Sequence, residues 1–194
     1  IYNLMAKFFT SDFHLGHKHV VPWSNRPFSS IEENNETIIH NMESLSAGSD
    51  LYFLGDLSWD MQVLKIFFDR IRKARINFHW ILGNHDYKHG ATVYKNQCRS
   101  MSEMKDVYIG DKQPVVLCHY PMLTWNKSHY NSFLLYGHHH ANSNGTKMLE
   151  SLSRGKTLNV NVEFHDYKPW SEDEIIAYMS KRPDNWDLIR RDDV

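Results

Sequence analysis

Five short stretches of this 194-residue chain end apolar runs with side chains that bind divalent cations. They are Asp12-Phe13-His14, Gly55-Asp56, Gly83-Asn84-His85-Asp86, His119, and Gly137-His138-His139-His140. Carboxylate oxygens, one amide oxygen and several imidazoles together describe a site for divalent metals. Taken singly, Asp-x-His and Gly-Asp are ordinary turn chemistry. Gly-Asn-His-Asp says more, because its glycine allows a sharp turn and the next three residues offer an amide, an imidazole and a carboxylate. Three consecutive imidazoles behind an apolar run are hard to explain as packing. The ordered set carries the signal, not any one member.

Each stretch needs an element to aim it. Residues 7–11, 50–54, 76–82, 114–118 and 133–136 read as buried strands that end at the polar pieces. Between the first two, Ser29 or Ser30 with Glu32 or Glu33 forms a capping box. The helix it opens carries Ile31, Ile38, Ile39, Met42 and Leu45 on one face and stops near Gly48. A second helix, about residues 61–74, has Val63, Leu64, Phe67, Phe68 and Ile71 at helical spacing. The order βαβαβ implies parallel strands with right-handed crossovers. Ligands in such sheets gather beyond the carboxyl ends of the strands, where Asp12, Asp56 and Asn84 fall. Residues 15–28, with Pro22 and Pro27, read as an irregular loop. Farther on, residues 107–109 and 115–118 flank a turn at Gly110-Asp111-Lys112-Gln113. Residues 157–164 read as a strand, and Ser171 caps a last helix near residues 172–181. This second half predicts a second sheet packed on the first. With no repeat, low-complexity tract or linker, residues 1–194 read as one domain.

Bulk properties exclude several classes. The formal net charge is −1, with 41% apolar and 23% charged residues, so no overall basic character advertises nucleic-acid binding. The local cluster Lys65, Arg70, Arg72, Lys73 and Arg75 reads as a solvated helix face. Cys98 and Cys118 have no close spacing, so neither a disulfide framework nor a thiolate zinc site is indicated. Reduced cysteines fit a cytoplasmic protein. No stretch approaches the roughly 18 apolar residues of a membrane span. Met5 reads as a native start, with residues 1–4 an upstream extension. Thirteen histidines are the one compositional oddity.

In this order, D-x-H, G-D, G-N-H-D, H and G-H-x-H resemble the motifs of the calcineurin-like metallophosphoesterase superfamily, with all five present between residues 12 and 140. Longer strings are similar to small phosphoesterases of bacteria and phages: Thr10-Ser-Asp-Phe-His-Leu-Gly-His17, Asn25-Arg-Pro-Phe28, His119-Tyr-Pro-Met122 and Asp166-Tyr-Lys-Pro169. The resemblance implies an α/β fold, a four-layer αββα sandwich of two mixed sheets flanked by helices, with a dimetal site at the C-terminal ends of strands. It implies one metal on Asp12, His14, Asp56 and His140, and another on Asp56, Asn84, His119 and His138, with Asp56 bridging. Two cations about 3.5–4 Å apart share a water, lower its pKa and clamp a phosphoryl group for in-line attack by the bridging hydroxide. Manganese is the first expectation for the metal; iron, zinc, nickel and cobalt suit the same ligands.

His85 is then the catalytic residue, facing substrate rather than metal, with Asp86 or Asp60 as candidates to orient its other nitrogen. His17 and Arg26 are candidate substrate contacts, Arg26 by forking onto a phosphate. His139 takes the variable position of its motif. Trp23, Trp125 and Tyr120 read as packing residues rather than stacking platforms. The implied activity is hydrolysis of a phosphomonoester or phosphodiester, small or nucleotide-like, in a pocket shaped by residues 15–28 and 124–132 without a separate cap domain. The alternative is an inactive metal-binding scaffold that recruits a protein partner, which retention of Asn84 and His85 argues against. A nuclease is disfavoured by the near-neutral charge. A structural zinc protein is disfavoured by the lack of cysteine-rich coordination. No membrane partner is indicated, and oligomeric state is not legible.

Overall fold

Period-two alternation decides which face of each strand meets which core. In the computed structural model, which describes residues 6–143 and 155–185, the strand β2 (Asp50–Leu54) shows this plainly. Its Leu51 and Phe53 join a helix-side core, while Tyr52 and Leu54 join a second core on the other face. The neighbouring β1 (Lys7–Thr10) and β3 (Asn77–Ile81) pair with β2 in parallel, as the βαβαβ order predicts. Met5, the expected start, lies outside the described residues.

Helix α2 (Ile31–Glu43) and helix α3 (Met61–Lys73) cover one face of this sheet. Ile38, Met42, Leu64, Phe67 and Ile71 bury themselves against Phe53, Phe78 and Trp80. Truncating a buried aromatic such as Phe53 to alanine costs about 3–5 kcal/mol. Ser30 caps α2 by accepting from the Glu33 N–H, while Ser29 donates to the Glu33 carboxylate. The helix ends at Glu43, short of Gly48, where the Ser44 hydroxyl turns back to the His40 carbonyl. The basic cluster on α3 is largely spent on ion pairs: Arg70 with Glu36 and Glu43, Lys65 and Arg72 with Asp69.

The remaining elements are α1 (Val20–Trp23), α4 (Ala91–Tyr94), β4 (Ser100–Ser102), β5 (Met104–Ile109), β6 (Gln113–Cys118), β7 (Phe133–Tyr136), β8 (Thr157–Asn159), β9 (Trp170–Ser171) and α5 (Glu172–Met179). The first sheet has the order β4-β3-β2-β1-β9 and the second β5-β6-β7-β8. Each is mixed: β9 runs antiparallel to β1, and β5 antiparallel to β6 across the expected turn. Between the sheets lie Phe9, Tyr52, Leu54 and Ile81 from one, and Val115, Leu117, Phe133 and Leu135 from the other. Ile175 and Met179 of α5 close this core at the side. This is the α/β arrangement of two mixed sheets flanked by helices that the sequence predicts.

Three local expectations are corrected. Residues 20–23 form a helical turn despite Pro22, because in the first turn its missing N–H costs no hydrogen bond. The predicted strand 157–164 stops at Asn159, and Val162–Phe164 is a 3-10 turn. There the side chains of Asn159 and Asn161 accept from the backbone N–H groups of Asn161 and Glu163, so the chain turns away from the sheet. The segment 124–132 does not line the pocket. Its Trp125 packs, with Met122, on Val116, Leu134 and Tyr136 at the outer face of the second sheet.

Candidate metal centre

Parallel register brings the polar pieces to one level. Thr10 stands beside Phe53, and Leu54 beside Ile81, so the loops after β1, β2 and β3 leave the sheet together. Backbone bonds then continue the pairing: Asp12 N–H to the Gly55 carbonyl (2.9 Å) and His14 N–H to the Asp56 carbonyl (3.1 Å). In the second sheet, Gly137 N–H donates to the His119 carbonyl at 2.9 Å. Two bonds stitch the sheets at this rim. His119 Nδ1 contacts the Leu54 carbonyl at 2.7 Å, and the His138 N–H donates to the Asp12 carboxylate at 3.0 Å.

The backbone here is held in a conformation it would not otherwise choose. Asp12, His14, Asp56 and His138 all have φ between +51° and +69°. Non-glycine residues seldom adopt that region, at a cost on the order of 1 kcal/mol each, and such residues cluster at functional sites. Two glycines make room for the ligands. A Cβ on Gly83 would sit 2.3 Å from Asp56 Oδ1, and one on Gly137 would sit 2.4 Å from Asp12 Oδ2.

Asp56 Oδ2 is the centre of the constellation. It lies 3.7 Å from His14 Nε2, 3.6 Å from His119 Nε2 and 3.9 Å from His85 Nε2. Asp12, His14 and His140 converge as one buried ligand group, and Asp12, Asp56 and His119 as another. Asn84 Oδ1 is 3.1 Å from His119 Nε2. Because His119 Nδ1–H donates to Leu54, that Nε2 of the neutral ring carries a lone pair, and it faces amide and carboxylate oxygens. An imidazole nitrogen and an amide oxygen this close are two ligand atoms that a shared cation would satisfy. The His138 ring stands against His119, with centroids 5.1 Å apart, outside both three-residue groups.

Electrostatics point the same way. Burial pushes the Asp12 carboxyl up to about 6, against the pull of His119 and His140. Burial and the neighbouring His140 hold His14 well below the usual histidine range. His14 Nε2 is buried without a hydrogen-bond partner. Two buried carboxylates with no Lys or Arg on their oxygens among the described residues, facing an orphaned imidazole nitrogen, are the donor set a cation would satisfy.

The supporting residues include several that sequence reading missed. Glu163 accepts from His140 Nδ1–H (2.8 Å), Arg26 Nε (2.9 Å) and the Ala141 N–H (3.0 Å). Although burial favours its neutral form, the His140 hydrogen bond and the Arg26 charge pull its pKa down to about 2. This carboxylate fixes the His140 tautomer and leaves Nε2 facing the cluster. An acid among the alternating apolar residues of Val160–Phe164 was the available signal. Trp59 is the other omission. Its Nε1–H donates to His14 Nδ1 at 3.0 Å, and its faces stack on His17 (4.4 Å) and His89 (4.5 Å).

Arg26 is corrected. Its side chain is buried, and its guanidinium donates to Glu163, to the Asp12 and Phe13 carbonyls and to Asn34 Oδ1. The fork that a phosphate was expected to receive is spent on the protein. Asp86 and Asp60 do not meet His85. Asp86 accepts from the N–H groups of Asp56, Leu57 and Gly83 and from Trp80 Nε1, tying two ligand loops together. Asp60 caps α3. His17 lines the cleft with His14, Trp23, Asp56, Trp59, Asn84, His85, His138 and His140, around about 310 Å³. Trp23 and Tyr120 are exposed rather than packed.

Two stacked mixed sheets with a carboxylate and imidazole cluster at their shared rim define a class, the metal-dependent phosphoester hydrolases. The sequence model described as calcineurin-like phosphoesterase matches residues 8–191, and the chain belongs to that family. It is 31% identical over 172 residues to "Uncharacterized protein MJ1445" of Methanocaldococcus jannaschii, covering 88% of this chain and 89% of that protein. Among solved structures, a protein of unknown function, AQ665 from Aquifex aeolicus, superposes with a TM-score of 0.70 at 22% identity, over 90% of this chain and 99% of the other, a likeness of fold. Pseudomonas putida nuclease MPE superposes with a TM-score of only 0.44 at 17% identity, over 68% of this chain and 59% of that one.

Proposed function

We propose that this chain hydrolyses a small phosphomonoester or phosphodiester with two divalent cations. Asp12, His14, Asp56 and His140 would hold one and Asp56, Asn84, His119 and His138 the other, manganese being the first candidate before iron, zinc, nickel or cobalt. The observation that carries this is the position of Asp56 Oδ2, within 3.6–3.9 Å of three imidazole nitrogens, in one ligand group with Asp12 and His119, the latter in contact with Asn84 Oδ1. Bound cations of this kind supply an activated water and neutralise phosphoryl charge.

The protein's own groups do the rest. His85 has its backbone N–H on Asp56 Oδ1 (3.1 Å) and its side chain 35% exposed at the cleft. From there it donates a proton to the departing ester oxygen. His17, stacked on Trp59 at the lining of the same cleft, contacts the phosphoryl group. Among the described residues no Lys or Arg lines the cleft, which favours a substrate with one phosphate over a polyanion such as nucleic acid. The free cysteines suit a reducing, cytoplasmic setting. Among the described residues, no helix is long and apolar enough to cross a membrane.

The test is hydrolysis of nitrophenyl phosphate and bis(nitrophenyl) phosphate by manganese-loaded protein. Turnover that a chelator abolishes and added metal restores supports the proposal. Absence of turnover of any phosphoester at full metal loading overturns it.

A further inference from the structure

Helix α1 ends in Trp23, whose side chain is 62% exposed although it borders the cleft. What sets this exposed aromatic apart is its place at the rim of the cleft, where its open face is available to a ring on a bound ligand. One part of the indole rests on His140, with ring centroids 5.0 Å apart at an interplanar angle of 51°. The other aromatics nearby are differently placed. Trp59 is already stacked on two rings of the protein, His17 and His89. Tyr120 leans on His119 and His138 and does not line the cleft. The cleft, at about 310 Å³, stands at the small end of the roughly 300–1,000 Å³ range of ligand sites. It has room for a phosphoryl group and one ring, and among the described residues no Lys or Arg lines it to grip a second phosphate.

We infer that Trp23 is a specificity residue: it stacks a planar ring, nucleobase or aryl, carried by the alcohol of the phosphoester, beside the cation ligand His140. This rests on the cleft being a phosphoester site. The indole is held by α1, where the Trp23 N–H donates to the His19 carbonyl and the Arg26 N–H to the Val21 carbonyl. His140 has its own anchors in Ser24 Oγ and Glu163, so loss of the indole does not release the imidazole.

Binding of phosphonates to the metal-loaded protein, measured by calorimetry, tests the inference without needing turnover. Phenylphosphonate should bind about tenfold more tightly than methylphosphonate, a gain of the order that stacking a ring on an aromatic side chain supplies. In Trp23→Ala that ratio should fall to within about twofold, and in Trp23→Phe most of it should remain. A parallel comparison of adenosine 5′-monophosphate with ribose 5-phosphate tells a nucleobase from a simple aryl ring. A ratio that survives in Trp23→Ala, including a parallel loss of both ligands, overturns the inference. So does a wild-type ratio near one. Failure of hydrolysis alone would sink the enzymatic reading and leave the ratio standing.

Discussion

Replacing Glu163 by glutamine tests whether the buried Arg26–Glu163–His140 chain holds a metal ligand in place. Glutamine is isosteric, so its amide oxygen at the Oε1 position still accepts from Arg26 Nε and His140 Nδ1. Its amide nitrogen then falls where Oε2 accepted from the Ala141 N–H, and two donors face each other. The Arg26 guanidinium, 4% exposed, also loses its anion and keeps only carbonyl and amide acceptors. Breaking a buried pair in this way costs about 3 kcal/mol, or roughly 6–12 °C in Tm for a chain of this size. A folded variant is therefore expected. Loss of a carboxylate behind a histidine ligand lowers metal affinity by roughly 10–100-fold. On the proposed assignment the loss is one-sided: a cation held through His140 should weaken, while His119 keeps its own bond to the Leu54 carbonyl. Calorimetric titration of metal-free protein with manganese should show two affinities in the native chain and only the weaker-held or stronger-held one displaced in the variant. Unchanged affinities in a folded Glu163→Gln protein, or equal loss at both sites, would refute the reasoning.

Other outcomes follow from the same contacts. His85→Ala should lower turnover by roughly 10²–10⁴-fold with metal content unchanged; full turnover, or loss of metal, would remove His85 from the chemistry. Ligation through His14 Nε2 moves the ring proton to Nδ1, which faces the Trp59 indole N–H. Metal loading should therefore break that bond and shift the Trp59 indole resonance in nitrogen-edited NMR, whereas an unmoved resonance at full occupancy would place the ligand atom elsewhere. At the helix side, the Arg70 hydrogen bond holds the Glu43 carboxyl below its ordinary value of 4.5. Its stabilisation is present above that value and lost as pH falls through the depressed one. Arg70→Met should thus remove an acid-limb loss of at most about 1 kcal/mol from the stability profile of the metal-free protein; a steeper acid limb in the variant would contradict it.

Much of the scaffold was legible because its signals are local. Helix spacing in residues 61–74 and the alternation through β2 each state their own partner face. The ligand pieces were legible because strand ends deliver them, and parallel strands bring their ends to one level. What escaped depends on distant pairing. Arg26 reads as a phosphate fork until its guanidinium is seen spent on Glu163, 137 positions away. Glu163 itself was read as part of a strand, since nothing local announces that Asn159 and Asn161 divert the backbone. Trp59 gave no periodic signal, because its role comes from stacking on histidines of two other loops. Asp86 illustrates the opposite hazard: adjacency to His85 suggested a catalytic partner, whereas its oxygens serve three backbone N–H groups and the Trp80 indole.

The central claim is a pair of cations sharing Asp56, and anomalous diffraction from manganese-soaked crystals tests it most directly. Two peaks about 3.5–4 Å apart, with the Asp56 carboxylate between them and His85 bound to neither, are predicted. A single peak at full occupancy, or two that do not share Asp56, would contradict the account.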